Sequence, residues 1–379
     1  MRLTTSGAAD VLFGDGDKHA RDDSYADAMV RLYQTYPADE DAAAFYALAL
    51  LGTAHEGREF GTYMKSAGIL EQVVDEYPNH PGIAHYLIHS YDDPIHAPLG
   101  IRAARAYSKI APDAPHAQHM TSHIFMALGM WDEVVAANEN AMRVSNDGRA
   151  ARGLPPSACG HGNFWLEYGY LQQGRIDEAG LLLKQCHDRV TAAPGGDDPD
   201  PDNTPVGSYA AMLSRYVIDS GELNVEGLDW PVDLSGSPYA RVTFAFATGY
   251  AAAALGDAEN AMAALDVLTA VDAELTTAEE DIDTQGARRQ VLVLELEALI
   301  RALEGNMDQA ITLARQAAAA EQAMPYEFGP PFVDKPAFEL LGEVLLMAGR
   351  YEDSRNAFRI ALSRNPERAA SRNGLALTQ

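Results

Sequence analysis

The chain has 379 residues, and its 28 lysines and arginines oppose 55 aspartates and glutamates, which gives a formal net charge of −27 at pH 7. Such a surface repels nucleic-acid phosphates and anionic lipid headgroups, so we expect neither nucleic acid nor a membrane as a partner. A single core rarely grows to this size, so the length predicts several domains or an elongated repeat array.

Compartment signals are few. Residues 1–16 contain no long apolar stretch of the kind found in signal peptides, and no run of 18 apolar residues follows. The two cysteines, Cys159 and Cys186, do not make a disulfide framework in a chain this long. We therefore expect a cytoplasmic protein, and a periplasmic location stays open if a leader is missing.

Helical periodicity, interrupted by proline and glycine, organises most of the chain into helix pairs. We expect helices at about 22–36, 40–51, 63–77, 81–92, 98–110, 115–128, 131–144, 160–173, 176–190, 208–220, 239–255, 258–271, 282–303, 307–323 and 367–377, and a further pair between 338 and 366. Residues 1–20 are predicted to be loosely ordered, and the acidic Pro/Gly-rich stretch 192–207 is predicted to link N-terminal repeats (21–191) to C-terminal repeats (208–379).

A 34-residue period runs through the N-terminal half, where Pro78 and Pro112 close successive units. The last unit contains Phe338-x2-Leu341-Gly342-x2-Leu345, then Ser354-x3-Phe358 and Pro366. These features resemble the tetratricopeptide repeat (TPR) family over roughly residues 20–379. The resemblance implies an all-α fold, a right-handed α-solenoid of TPR-like helix-turn-helix repeats, and it implies protein or peptide binding in a groove.

The block HPGIAHYLIHSYD…PHAQHMTSHIFMALGMW also resembles one found in uncharacterised bacterial TPR proteins. That resemblance implies the fold and no chemistry. Some of those proteins are longer at the N-terminus, which leaves open whether this chain lacks a first segment.

Two copies of His-x3-His, His85/His89 and His119/His123, lie 34 residues apart at both positions. Residues four apart share a helix face, and the repeat places the two pairs on neighbouring first helices. The TPR resemblance implies that these positions line the concave groove. Because neutral imidazole is a common ligand of zinc, copper and iron, we predict that the four histidines bind a divalent transition metal.

Further residues follow from the same placement. Asp92 and His116 are candidates for extra ligands or for a general base near metal-bound water, and the thioether of Met126 would favour copper. Candidates for supporting groups or a lid over the site are His55, His96, His161 and Glu327. Glu327 lies in the segment 324–336, which is either a lid or a plain connector. Lys335, Glu339 and Glu343 are predicted to form a solvated polar face.

Two functions remain open at this point. One is a metal-dependent protein, with zinc-type hydrolysis or copper- or iron-type oxidation of a small molecule as the candidate reactions. The other is a non-catalytic scaffold that binds a peptide or protein in its groove. A single histidine on a helix is usually solvated or satisfied in a core, and the metal hypothesis depends on four of them recurring in register.

Overall fold

Helices supply the regular secondary structure of the computed structural model, which describes residues 11–192, 205–224, 226–270 and 282–379. In chain order they are α1 (Lys18–Thr35), α2 (Glu40–Leu51), α3 (Phe60–Glu71), α4 (Pro81–Tyr91), α5 (Ala97–Ile110), α6 (Pro115–Ala127), α7 (Trp131–Ala150), α8 (His161–Gln172), α9 (Ile176–Ala192), α10 (Pro205–Ser220), α11 (Pro238–Ala254), α12 (Ala258–Ala270), α13 (Ile282–Leu303), α14 (Met307–Ala323), α15 (Ala337–Met347), α16 (Tyr351–Arg364) and α17 (Ala369–Leu377). A short 3-10 helix covers Glu226–Leu228. None of these helices is long and apolar enough to cross a membrane.

Local sequence sets the helix ends. Pro81 and Pro115 occupy the first turns of α4 and α6, where a missing N–H costs nothing. His80 accepts a hydrogen bond from the backbone N–H of Ile83 at 3.1 Å and so caps α4. Gly174, with φ of 71°, turns the chain between α8 and α9 in a conformation that side chains with a Cβ rarely adopt.

Backbone contacts divide the chain into two units: unit 1 is residues 1–128 with 325–328, and unit 2 is residues 129–324 with 329–379. Within unit 1, each of the helices α1–α5 packs on the helix that follows it, and α4 also packs on both α2 and α6. Unit 2 repeats this plan, since α13 packs on α11 and α15 as well as on its chain neighbours. The predicted all-α class is confirmed for the described residues, and successive helices pack on one another within each unit as the helix-turn-helix repeat predicted.

Small residues let the helices of unit 2 approach closely. A Cβ on Gly342 would lie 2.9 Å from the ring of Phe358, and a Cβ on Gly374 would lie 2.2 Å from the same ring. Phe358 is fully buried between them. The glycine and the aromatic residue of the last repeat motif are therefore a packing pair.

Several predicted boundaries were displaced. The third helix ends at Glu71 and not near Tyr77, while α7 continues to Ala150, beyond the predicted end at residue 144. Most of the predicted linker, residues 193–204, lies outside the described residues, and so do residues 1–10. The described chain resumes inside α10 at Pro205. The predicted domain division stays a prediction.

A disulfide between Cys159 and Cys186 joins the loop before α8 to α9. Nothing in the sequence indicated this bond, because two cysteines separated by 27 residues carry no characteristic spacing. The bond ties an irregular segment of unit 2 to a helix.

The predicted solvated face at Lys335 and Glu339 was wrong. The side chains of both residues are buried, with the Lys335 Nζ 2.9 Å from Glu339 Oε1 and 2.6 Å from an oxygen of the less buried Glu343. Arg368, also buried, lies 2.9 Å from Glu339 through its Nε and pairs with Asp219. Each cation thus faces two carboxylates, which lowers the cost of removing these charges from water.

Residues 329–336 are held by unit 2 through their backbone. Arg215 donates to the carbonyl oxygens of Pro331 and Asp334, and Arg288 Nε donates to the carbonyl of Phe332 at 3.1 Å. Both arginines are buried. These donors satisfy carbonyl groups that would otherwise be buried without partners.

Glu167 of α8 allows a test of the interior of unit 2. It is fully buried, and its carboxylate oxygens find no hydrogen-bond donor among the described residues. Burial raises the pKa of Glu167 well above its usual range. The negative charge of Asp219 adds to this shift, and the positive charge of Arg215 opposes it. Between its ordinary pKa and its raised pKa, the carboxyl group is therefore neutral in the folded chain and ionised in the unfolded chain.

We predict that Glu167→Gln gains stability relative to wild type as the pH rises. In wild type, ionisation of Glu167 stabilises the unfolded chain, whereas the glutamine of the variant does not ionise. The difference in free energy of unfolding between variant and wild type therefore grows by about 1.4 kcal/mol per pH unit until the pKa of Glu167 in the folded chain is reached. Urea unfolding at pH 5, 6, 7 and 8 measures it. Glu259→Gln, at an exposed position of α12, is the control that should show no such trend. A constant difference for Glu167→Gln would contradict the prediction.

Candidate metal centre

Five histidines from α4 and α6 form a closed ring in unit 1. The ring-centroid distances are 4.9 Å from His116 to His85, 4.9 Å from His85 to His89, 5.5 Å from His89 to His123, 5.2 Å from His123 to His119, and 6.4 Å from His119 to His116. The structure therefore brings together the four predicted ligands and adds His116 to them. The helix contact between α4 and α6 produces this arrangement.

Two pairs of ring nitrogens face each other at short range. His85 Nε2 lies 3.2 Å from His116 Nε2, and His119 Nε2 lies 3.3 Å from His123 Nε2. Two imidazole nitrogens at this distance either share one N–H···N hydrogen bond or bind the same ion. In a tetrahedral zinc site with bonds of 2.0–2.1 Å, ligand nitrogens stand about 3.3–3.4 Å apart.

Asp92 lies behind these rings and is buried. Its Oδ2 accepts a hydrogen bond from His123 Nδ1 at 3.0 Å and lies 3.4 Å from His89 Nδ1. Burial alone would raise the pKa of Asp92, but the hydrogen bonds with His123 and His89 and the charge of Arg58 hold that pKa well below its usual range. The donor atoms of His89, Asp92 and His123 all lie within 4.8 Å of one another, so these three residues could also hold an ion.

Arg58 is the residue that the sequence interpretation missed. Its Nη1 donates to Asp92 Oδ1 at 2.6 Å, and its Nη2 lies 3.2 Å from Asp93 Oδ2. The same Nη2 donates to the carbonyls of His89 and Ser90 at 3.3 and 3.2 Å, which satisfies acceptors at the C-terminal end of α4. Arg58 stands 34 residues before Asp92, so the repeat period was the signal that could have found it.

The five histidines differ in their exposure to solvent. His116 is exposed and His85 and His89 are half-buried, whereas His119 and His123 are 5% and 3% exposed. Burial, followed by the repulsion of His89 and His116, lowers the pKa of His85 to about 3. Burial lowers the pKa of His123 to about 4, although Asp92 opposes this shift. At neutral pH both imidazoles are therefore uncharged.

Residues 325–328, which belong to unit 1, cover part of the ring. Phe328 stacks on His123 with a centroid distance of 4.9 Å and meets the edge of His89 at 5.9 Å. Pro325 lies so close to Gly57 that a Cβ there would stand 2.4 Å from the proline ring. Phe328, one residue after the predicted Glu327, is thus the side chain that contacts the histidines. Glu327 interacts electrostatically with Tyr63. Burial raises the pKa of Tyr63, the positive charge of Arg58 opposes that shift, and the negative charges of Asp92 and Glu327 add to it.

Two of the predicted supporting residues, His96 and His55, have their printed contacts outside the five histidines. His96 Nδ1 is 2.9 Å from Asp93 Oδ2. Asp93 pairs with Arg58, and Arg58 pairs with Asp92 behind the five histidines, so His96 is linked to them through these ion pairs. His55 Nε2 lies 2.9 Å from Asp23, and its ring stacks on His19 at 4.1 Å.

His161 belongs to unit 2, where it begins α8 and its ring lies 5.2 Å from that of Trp165. Its predicted supporting role stays a prediction.

Comparisons with known proteins add nothing to this description of the site. No protein-family description and no curated protein matches the chain. Similar solved structures include the human IFIT1 dimer with PPP-AAAA (12% identity, TM-score 0.45, 95% of this chain and 79% of that chain) and yeast Tom70 (10% identity, TM-score 0.35, 95% and 59%). The APC/C hetero-tetramer Cut9-Hcn1 is a third (10% identity, TM-score 0.29, 98% and 88%). These similarities carry no functional information, and they do not confirm the resemblance of the histidine-rich block to bacterial TPR proteins.

We predict that Arg58→Met destabilises unit 1 severely, because it leaves Asp92 and Asp93 buried without their cation. Removing one partner of a buried ion pair costs about 3–5 kcal/mol. The free energy of urea unfolding, followed by circular dichroism, measures the loss.

Arg102→Met is the matched control. Arg102 contacts Glu71 and Asp75 from an exposed position on α5, and such surface pairs contribute about 0–1 kcal/mol. Equal losses for the two variants would show that Arg58 is not a buried anchor of the centre.

Proposed function

We propose that unit 1 binds a divalent transition metal through the histidine ring, and that this metal serves chemistry on a small molecule. The observation that carries the proposal is the pairing of imidazole nitrogens at 3.2 and 3.3 Å in front of a buried carboxylate. Metal-binding histidines usually donate their second ring N–H to a carboxylate, a backbone carbonyl or water, which fixes the tautomer. The contact from His123 Nδ1 to Asp92 has this form.

Local charge supports a cation at this place. Asp92 and Asp93 carry two negative charges against the single positive charge of Arg58, and the side chains of all three are buried. One negative charge is therefore in excess directly behind the imidazoles. A divalent ion bound by the ring would be attracted to it at short range and in a medium that screens poorly.

The proposed ligands are His85, His89, His119 and His123, with His116 as a further nitrogen on the exposed side. Asp92 is better suited to orient His123 than to accept a substrate proton, since Arg58 and the two imidazoles already engage its oxygens. His116 is exposed, so as a ligand it would keep its side of the metal site accessible to solvent and substrate.

Copper, zinc and iron all accept imidazole ligands. Met126 is buried on α6 one turn after His123, and a thioether nearby would favour copper. Hydrolysis would follow from zinc and oxidation from copper or iron.

A non-catalytic scaffold for a peptide or protein is the alternative. It is supported by the irregular segment 330–336, whose carbonyls accept hydrogen bonds from Arg215 and Arg288 in unit 2. Side chains of this chain thus already bind the backbone of a segment without regular secondary structure. The net charge of −27 favours a basic partner and disfavours nucleic acid.

Metal content separates the two functions. We expect untagged protein purified without chelators to contain at least about one equivalent of copper, zinc or iron, and the paired variant His119→Asn/His123→Asn to lose it. Elemental analysis by mass spectrometry provides the measurement.

His80→Asn is the control for the loss of imidazole as such. It removes another histidine of unit 1 and preserves the helix cap, because asparagine also caps well. Metal-free wild-type protein that also fails to bind added Zn²⁺, Cu²⁺ or Fe²⁺ would support the scaffold and exclude the metal function.

The disulfide is informative about the cellular compartment in which the protein works. The sequence alone favoured the cytoplasm, where thiols are kept reduced. The bond between Cys159 and Cys186 instead supports an oxidising compartment such as the periplasm. We therefore propose that the chain works outside the reducing cytoplasm.

We predict that protein from its native source, blocked with a thiol reagent at lysis and then denatured, shows no free thiol, and that it shows two after reduction. Replacing both cysteines by serine should lower the free energy of unfolding by about 3–4 kcal/mol, because a bond across 27 residues restricts the unfolded chain. Reduced wild-type protein should match the double variant. Two free thiols at lysis would place the protein in a reducing compartment.

A further inference from the structure

The nitrogen pairs of the histidine ring are separate from each other. His116 Nε2 faces His85, and His119 Nε2 faces His123. An imidazole nitrogen has one lone pair and directs it at one ion. The four Nε2 atoms are thus already sorted into two sets of two, and each set has the spacing of two ligands on one ion.

Resting on the proposed metal function, we propose that the ring holds two metal ions: an outer ion on His85 and His116, and an inner ion on His119 and His123. The His123 Nδ1 is occupied by Asp92, which leaves only its Nε2 for a metal. His89 lies between the two sets, with centroid distances of 4.9 Å to His85 and 5.5 Å to His123. Its Nδ1 faces Asp92 at 3.4 Å, so its Nε2 is the third nitrogen available to either ion.

The two positions differ in their surroundings. The inner pair is buried, and Phe328 stacks on His123 beside it. The outer pair includes the exposed His116, and His85 stacks almost parallel on Tyr107 at 5.4 Å, which fixes the plane of that ring. The outer ion therefore exchanges faster and keeps positions open for water or substrate.

Charge indicates what fills those open positions. Two divalent ions bring four positive charges, whereas Asp92, Asp93 and Arg58 together supply one net negative charge. The remaining repulsion is relieved by an anionic oxygen ligand, either hydroxide from bound water or a carboxylate or phosphate group of the substrate. An oxyanion is thus the substrate class that a two-ion centre selects.

The test is the number of Zn²⁺ ions per chain. Protein stripped with a chelator and dialysed is titrated with Zn²⁺, and native mass spectrometry counts the ions at saturation. We expect two ions for wild type, one for His116→Asn, one for His119→Asn, none for the variant with both changes, and two for the control His80→Asn. His85→Gln should repeat the result of His116→Asn if the outer site is as assigned.

A second readout uses Cu²⁺. Two copper ions bound to neighbouring histidine pairs broaden each other's electron paramagnetic resonance spectrum, and each single variant should return the sharp spectrum of an isolated ion. Circular dichroism confirms that each variant is folded before ions are counted.

The outcomes distinguish this proposal from the one it rests on. One ion in wild type that either single substitution removes would overturn the two-ion centre and leave a single shared metal site. Two ions in wild type that both single variants retain would overturn the assignment to these histidines. No ion in wild type would refute the metal function itself.

Discussion

The buried ion pair between Arg58 and Asp92 is the constraint on which the histidine centre depends. Taking both charges out of water is costly, and either one alone would cost several kcal/mol more. Because they are paired, Asp92 stays ionised and can hold His123 Nδ1 at 3.0 Å. Arg58 meanwhile binds the last carbonyls of α4, which fixes the end of the helix that carries His85 and His89. One guanidinium therefore orients histidines on both helices.

The 34-residue repeat period predicted correctly that the two histidine pairs lie close together, but it did not predict which ring nitrogens face each other. Equal spacing of His85/His89 and His119/His123 placed the two pairs on neighbouring helices, and α4 does pack on α6. The close nitrogen contacts, however, join His85 to His116 and His119 to His123, and not residues at equivalent repeat positions. Side-chain dihedral angles decide which nitrogens meet, and a residue spacing contains no information about them. Phe328 shows the same limit, since its stacking on His123 joins residues far apart in the chain.

The sequence predicted the positions of the helices more reliably than it predicted whether charged side chains are buried. Proline at the first turn and glycine after the last mark the ends of several helices, and both are local effects. The environment of Lys335 and Glu339 is not local, because Glu339 is neutralised partly by Arg368, 29 residues later, and Arg368 pairs in turn with Asp219, 149 residues earlier. A pattern of charges on one helix face looks the same whether water or buried arginines lie opposite. Burial of such a face can be read only from its tertiary partners.

The 34-residue separation of Arg58 and Asp92 has a consequence for how this part of the chain can vary. Adding or removing one residue inside an α-helix rotates everything beyond it by about 100°. Such a change between positions 58 and 123 would turn an arginine, a carboxylate or a pair of imidazoles away from its counterpart, even if every side chain were kept. This stretch is therefore free to diverge by substitution on its outer surface, while its length is held by the geometry of its interior.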